Sequence, residues 1–496
     1  MTAMDSDESD GYTDKDLDCP FGRPGFLDVS GPLCHPASMS QSFLEGLLEE
    51  DVIKVEGLIA AGANIQSPCR LLYTSGLGAA CEGDSALHIA SRMGSLPMLQ
   101  LLLQYGAEVD SVSETGETCL HIACVRAQVE CVKLLLQHGA SVNAMDKIMG
   151  SDTALIKAVA CYNTLSEDDD SYIEIIQMLI QTGAEVNKSD CKGLTALHLA
   201  VCKEDTRISE LLLNNGAIID TQGELVSSPL IRAIECGSIA NVNLLLREGC
   251  KVNHSWGCLA NSIPLCSAIL SNNMAIVLDL LRHGADPNFT SNGGSALHLA
   301  ASRKYLVMLL LLLAKDGNIN TQMSFDRASL LLTLTRERSE IGVCLLLKLG
   351  ANPNLENKLG TTPIWAAVKL QLTNLVRLYI CVNCDLERHS IELFTYRPIT
   401  AVQLALELGH LHIAFLLLNA GCVLNRSWIS GPNAPRKLQK NSSVLYWFQQ
   451  WLSQPRTLKF LCRSTLRRSI GLPLPKFMQS IQYPLSLKEY LLCRDY

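Results

Sequence analysis

Aromatic residues make up only 5% of this 496-residue chain and charged residues only 18%, although 48% of it is apolar. A core so poor in large rings has to come from close stacking of leucine and alanine, not from one big aromatic globule. Long apolar runs are missing too. The longest, residues 305–314, falls far short of the roughly 20 residues a membrane-spanning helix needs. No basic, apolar leader opens the sequence. Residues 1–18 instead carry Asp5, Asp7, Glu8, Asp10, Asp14, Asp16 and Asp18, a composition expected to stay unfolded. The expectation is a soluble protein of the cytoplasm or nucleus, with no membrane role.

Positive charge is scarce except at one end. The net charge is −8, yet from Arg436 onward eleven Lys or Arg face only Glu489 and Asp495, so that segment is +9 and the rest −17. An acidic body excludes nucleic acid as the main partner. Enzyme signatures are also lacking: there is no Gly-x-x-x-x-Gly-Lys-Ser/Thr loop, no His-Glu-x-x-His and no Gly-x-Ser-x-Gly elbow. The carboxylates lie in the head, in turns and in residues 166–170, and a general acid–base pair would need convergent walls. No catalytic residue and no cofactor are expected.

What the chain has is repetition. The string Leu-Leu-Leu-x-x-Gly-Ala recurs with glycine anchors at Gly62, Gly106, Gly139, Gly183, Gly216, Gly249, Gly284, Gly317, Gly350 and Gly421, and with Asn383 in the slot before the last. The commonest step is 33 residues, as from Gly106 to Gly139. A second signature runs in phase with it: Ser85 to Ala90, Thr118 to Ala123, Thr195 to Ala200 and Ser295 to Ala300 share a Thr/Ser-x-Leu-His-x-Ala pattern. Both features resemble the ankyrin repeat, a turn followed by two antiparallel helices. A lone helix pair cannot bury its apolar face, so Leu134, Leu135 and Leu136 need neighbouring repeats to cover them. Glycine permits the left-handed end of each second helix, and Thr118 or Thr195 caps the next first helix. Asn143, Asn187, Asn253, Asn288, Asn320 and Asn354 suit a turn in which a side chain bonds its own backbone.

The fold class is therefore all-α: a solenoid of about eleven repeats over residues 41–426. It is preceded by an acidic flexible head (1–40) and followed by a connector (427–454) and a small helical unit (455–496). Insertions of about eleven residues near 67–80 and 163–172 are expected to loop out, the second with Glu167, Asp168, Asp169 and Asp170 in a row. In the connector, Tyr446, Trp447, Phe448 and Trp451 are expected to seal the last repeat.

Twenty cysteines raise the question of metal. Only Cys381 and Cys384 make a C-x-x-C, with no second pair at zinc spacing, so no metal site is expected. Cys119, Cys124, Cys131, Cys236 and Cys266 fall on repeat helices and read as small buried thiols. His88, His121, His198 and His298 share one repeat slot, where a hydrogen bond to turn backbone is expected rather than a ligand.

The carboxyl-terminal segment carries a different pattern. Leu458, Cys462 and Leu466 stand four apart, so on a helix they drift only about 40° per step and line one stripe. Lys459, Arg463 and Arg467 fall on the next sector and stay wet. A helix too short to be a core by itself, with a thiol between two leucines, fits a partner's groove. With Gln454-Pro455-Arg456 before it and Leu472-Pro473-Leu474-Pro475 after it, the segment resembles a SOCS box. Repeats followed by such a box resemble the ankyrin repeat and SOCS box protein family.

That resemblance implies a substrate-recognition adaptor of an elongin–cullin–RING ubiquitin ligase. It implies that Leu458 and Cys462 enter a pocket of elongin C, with Leu466 supporting the helix. Leu472, Pro473, Leu474 and Pro475 would contact the cullin. The implied partners are elongin B, elongin C, cullin-5, a RING-box protein and a protein substrate that the sequence does not name. Residues 476–485 separate Leu-Pro-Leu-Pro from the Ser486-Leu487-Lys488-Glu489-Tyr490-Leu491 ending that usually follows it closely, which keeps cullin-2 open as the alternative. A non-catalytic ankyrin scaffold without ligase recruitment is the reading from a different class.

Overall fold

In the computed structural model of the protein, the described residues are 41–68, 83–147, 151–162, 169–221, 227–254, 263–291, 294–391 and 398–422, with 424, 446 and 450. The acidic head, most of the first insertion, nearly all of the connector and the whole of 455–496 lie outside them.

Among the described residues twenty-two helices follow one another in pairs, from Gln41–Leu48 with Val52–Ala60 to Ala401–Leu408 with Leu411–Asn419. Each first helix packs against its own second helix and against the first helices of the neighbouring pairs. Second helices pack in a parallel outer row. The fold is all-α as expected, and the described residues add two short hairpins: Thr290–Ser291 against Gly294–Ser295, and His389–Ile391 against Pro398–Thr400.

Burial differs between the two rows. In the first helix Leu330–Arg336 every side chain from Leu330 to Thr335 is buried, because neighbours cover it on both sides. Its partner Glu340–Lys348 buries only Gly342, Val343 and Leu346. Within the leucine triplet, only the middle residue is fully enclosed: Leu135 is buried, and Leu134 and Leu136 are half-buried. The stripe is thus one leucine wide at its centre, and deleting such a side chain costs about 2–5 kcal/mol.

Caps close the helices in two ways. Thr153, Ser228 and Ser329 accept the third helical N–H through their hydroxyls, as expected. At Ser85, Thr118 and Thr195 the third helical residue is histidine, whose Nδ1 accepts the backbone N–H of the cap residue at 3.1 Å. The opposite nitrogen of His121 reaches the carbonyl of Asp152 in the next repeat at 3.1 Å, and His298 reaches that of Ala328. An acceptor at Nδ1 requires a neutral ring with its hydrogen on Nε2. Burial pushes both His198 and His298 down to about 4, which keeps them neutral. The expected bond to turn backbone is there, and it ties one repeat to the next.

Four readings of the sequence need correction. The repeat anchor at Gly317 is off by one. The left-handed residue is Asp316, with φ 63°, and Gly317 takes the following slot, which alanine fills at Ala107, Ala140 and Ala351. The amide in that slot returns to the outer helix in each case: Ala107 to Leu102 O, Gly317 to Leu312 O and Ala351 to Leu346 O, all at 3.0 Å. Cys236 is not a buried helix thiol but caps the helix Pro229–Glu235 and is exposed. The second insertion is not wholly a loop, because its last residues start the long helix Asp169–Gln181. Tyr446 is exposed, so it does not seal the last repeat; Trp447, Phe448 and Trp451 lie outside the described residues.

Candidate functional site

The hairpin edge is held by a ladder of asparagines. Asn187 Oδ1 accepts the N–H of Ile218 at 2.8 Å, and its Nδ2 donates to Gly216 O at 2.9 Å. Asn143 makes the same two bonds to Glu185 and Gly183, and Asn253 to Asp286 and Gly284. Each asparagine therefore grips the next repeat's turn and not its own backbone, contrary to the sequence reading. The bonds within a turn come from residues two places earlier: Asn318 Oδ1 accepts from Asn320 N–H, and Asn352 Oδ1 from Asn354 N–H. A row of turns locked in this way is a rigid platform, and rigidity lowers the entropic cost of gripping a partner.

Charge is also used between repeats. Lys157 bridges Glu117 and Asp146, with 2.9 Å to the latter, on largely covered side chains. Burial would raise the Glu117 carboxyl, but the Lys157 ammonium outweighs it and holds that carboxyl below its usual range. Asp84 and Arg92 form a pair at 3.1 Å with side chains 0% and 4% exposed. At the second insertion, Arg207 reaches Asp170 at 3.3 Å, Asp205 at 2.8 Å and the Tyr162 hydroxyl at 2.9 Å. Asp170, at the end of the acidic stretch, is thus tied to the following repeat.

Some exposed groups were not singled out from the sequence. Phe325, at a hairpin tip, is 81% exposed with Lys358 Nζ 5.8 Å from its ring centre. On the outer row Val307 and Ile341 are exposed, and a shallow groove of about 430 Å³ runs beside Ile341, Cys344, Leu345, Leu375 and Leu378. The signal was available: both Val307 and Ile341 stand second in their helices, a position the 3.6-residue period turns away from the core. Among the described residues no group of His, Cys, Asp and Glu is arranged to hold a metal ion. No described helix is long and apolar enough to cross a membrane. The residues read as partner-binding, Leu458, Cys462, Leu466, Leu472, Pro473, Leu474 and Pro475, all lie outside the described residues.

Comparison with known families bears on both regions. The family of ankyrin repeats matches at residues 55–146 and 159–255. The SOCS box family matches at residues 454–492. Repeats and box together match the ankyrin repeat and SOCS box family. The second match contains all seven residues of the carboxyl-terminal pattern and the 476–485 stretch between its parts. Similar proteins are varied. A stretch of 343 residues, 66% of this chain, is 26% identical to E3 ubiquitin-protein ligase KEG of Arabidopsis thaliana, of which it covers 20%. Another of 258 residues, 48% of this chain, is 31% identical to the Nuclear factor NF-kappa-B p105 subunit of Gallus gallus, of which it covers 23%. A third of 198 residues, 38% of this chain, is 30% identical to Palmitoyltransferase AKR1 of Lachancea kluyveri, of which it covers 27%. The chain spans about a fifth to a quarter of these relatives. Their names denote different activities while the matched stretch is repeat-like, so the likeness tracks repeat architecture and not one chemistry.

Proposed function

We propose that this chain is a non-catalytic adaptor of a cullin–RING ubiquitin ligase, whose repeats hold a protein target while its carboxyl-terminal box recruits the ligase. One observation carries the reading: a SOCS box match at 454–492 follows an array of paired helices ending at Asn419. A repeat array buries its own leucines in its own stack. A short amphipathic segment beyond it is left to pair with another chain. In this reading residues 41–426 form the target-holding body, 427–454 the connector and 455–496 the recruiting unit, acting in the cytoplasm or nucleus.

Leu458 and Cys462 enter the elongin C pocket and Leu466 supports that helix, with elongin B joining through elongin C. Leu472, Pro473, Leu474 and Pro475 meet the cullin, and a RING-box subunit completes the assembly. The ten residues 476–485 behind that turn favour a second reading at this one contact, in which cullin-2 replaces cullin-5. The target remains a protein of unspecified identity, gripped at the hairpin edge.

The test is reconstitution. Full-length chain co-expressed with elongins B and C is mixed with purified cullin-5 or cullin-2, each bound to its RING-box protein. Selective capture of cullin-5, lost on Leu472→Ala/Leu474→Ala, supports the reading. Selective capture of cullin-2 moves the assignment to the second reading. Capture of neither, from a folded chain, leaves the scaffold reading standing.

A further inference from the structure

The longest apolar run in the sequence has an exposed side. Residues 305–314 supply the outer-row helix Leu306–Ala314, which carries no polar or charged side chain. An outer helix meets the array on one face, so its other face is ordinarily polar and wet. Val129–Gln137 follows that rule, with Glu130, Lys133 and Gln137 exposed. The corresponding places in Leu306–Ala314 hold Val307, Leu310 and Ala314, all exposed, the first at 71% and the second at 38%. The next outer helix, Glu340–Lys348, continues the departure with Ile341, 69% exposed, and the half-buried Cys344 and Leu345.

These two helices close up because Gly342 has no side chain: a Cβ there would stand 2.9 Å from Leu306 Cδ2. On the far side, the groove beside Ile341 reaches Leu375 and Leu378 of the helix Thr373–Cys381. An apolar stripe thus crosses three successive repeats on the outside of the array. Such a stripe marks a contact with another chain.

Charge says which chain. The rim of the stripe carries one acid and one base, at opposite ends of one helix. Glu340 begins Glu340–Lys348, where Asn374 Nδ2 donates to its carboxylate oxygens at 3.2 and 3.4 Å. Lys348 ends the same helix and lines the same groove. The described ion pairs of this stretch are Lys304 with Glu337, Arg336 with Asp326, and Arg388 with Glu356 and Asp385; neither Glu340 nor Lys348 joins one. The helical rise separates the two by about 12 Å, with Cys344 midway. A second copy turned about a two-fold axis through Cys344 lays the same helix antiparallel on the first. Each Glu340 then meets a Lys348, and each Ile341 lies over the apolar stripe of the other copy. A partner of one charge sign would satisfy only one end.

We propose that this outer face is a two-fold, self-complementary interface through which two copies of the chain associate. A stripe of this width gives a weak dimer, with a dissociation constant on the order of 10 μM. The inference stands on these residues alone and does not depend on ligase recruitment.

The experiment is sedimentation velocity on the full-length chain, from about tenfold below to about tenfold above that constant. The sedimentation coefficient should climb from that of a monomer toward that of a dimer. Ile341→Lys, at a position already exposed, should weaken association about tenfold or more and leave thermal unfolding unchanged. Glu340→Lys sets like charges against each other across the axis and should weaken it about threefold. Glu340→Lys/Lys348→Glu returns opposite signs to both ends and should recover it. In a mixture of light and heavy-isotope chains, a short bis-maleimide should link Cys344 to Cys344 in mixed pairs. A chain that stays monomeric throughout the range, a dimer indifferent to Ile341→Lys, or a double swap no better than the single one overturns the proposal. So does a link from Cys344 to Cys462 or Cys493 of its own chain, which would mean that the carboxyl-terminal segment covers this face. The concentration series and the Cys344 link use the unmodified chain, so misfolding of a variant does not blunt them.

Discussion

The repeats up to residue 255 and those from 263 to 422 share a geometry but not a vocabulary. In the earlier half the left-handed residue that follows each second helix is glycine, from Gly62 to Gly249; in the later half Asp316 and Asn383 take two of those positions, at φ 63° and 60°. In the slot where His88, His121 and His198 bridge to the next repeat, the earlier half also places Ile156 and Ile231, and the later half places Cys266, Leu332, Trp365 and Gln403 as well as His298. The earlier half also holds the buried Asp84–Arg92 pair and the Glu117–Lys157–Asp146 network. The later half packs Tyr379 with its hydroxyl 2.6 Å from Thr335. The slots are fixed by helix packing, and different side chains fill them: bridging histidines and buried ion pairs are commoner in the earlier half than in the later. Family matching at 55–146 and 159–255 follows the letters, while the helix pairs run on to Asn419.

Breaking a polar lock should do the most damage. Asp84→Ala strands the Arg92 guanidinium with its side chain 4% exposed, which costs about 3–5 kcal/mol. Because repeats couple mainly to their neighbours, hydrogen exchange should rise in the first repeats and leave residues beyond 263 almost unchanged. A uniform loss across the array would contradict a division between halves.

Acid should separate the halves next. His198 and His298 are held near 4 in the folded chain, below the roughly 6.5 of an unfolded histidine. The neutral ring is the stabilising form. Its contribution is complete above about pH 6.5 and drains away as pH falls toward 4, with an upper bound of about 3 kcal/mol per ring. Between pH 7 and 4.5 exchange should therefore rise more around His88, His121 and His198 than around Leu332 and Trp365. His298→Leu should flatten the acid dependence of its own repeat, and an unchanged dependence would remove histidine as the cause.

The smallest effect is the most local. Gly317→Ala would place a Cβ 2.6 Å from the Leu312 carbonyl, although alanine is the ordinary residue of that slot. A loss of about 1–3 kcal/mol in urea unfolding is expected. Asp316→Gly, which relieves a left-handed non-glycine, should gain up to about 1 kcal/mol. A neutral Gly317→Ala would mean that the Leu312 carbonyl gives way and that the slot accepts alanine here as it does at Ala107, Ala140 and Ala351.

Most of the array was legible because two patterns, leucine triplets and Thr/Ser-capped helices, repeat in phase. What misled was letter-matching where geometry decides. Gly317 looked like the turn glycine, but the helix ends one residue earlier. The turn asparagines looked self-satisfied because the bond partner, such as Gly216 for Asn187, comes from the next repeat and has no local signal. Cys236 looked buried because it follows an apolar helix, yet it stands at the cap, where burial stops. The exposed Phe325 depends on which way a hairpin tip points. The pattern at 458–475 is legible as spacing alone, since Leu458, Cys462 and Leu466 would share one stripe on a helix, and it lies outside the described residues.

The central claim is that this stripe serves another polypeptide and contributes nothing to the array. The direct measurement is elongin B and C captured per mole of full-length chain, for wild type and for Leu458→Ala/Cys462→Phe, alongside the thermal unfolding of each. Capture should fall at least tenfold in the variant while the array's unfolding midpoint stays put. Equal capture by both chains, or a variant whose array melts early, would contradict it.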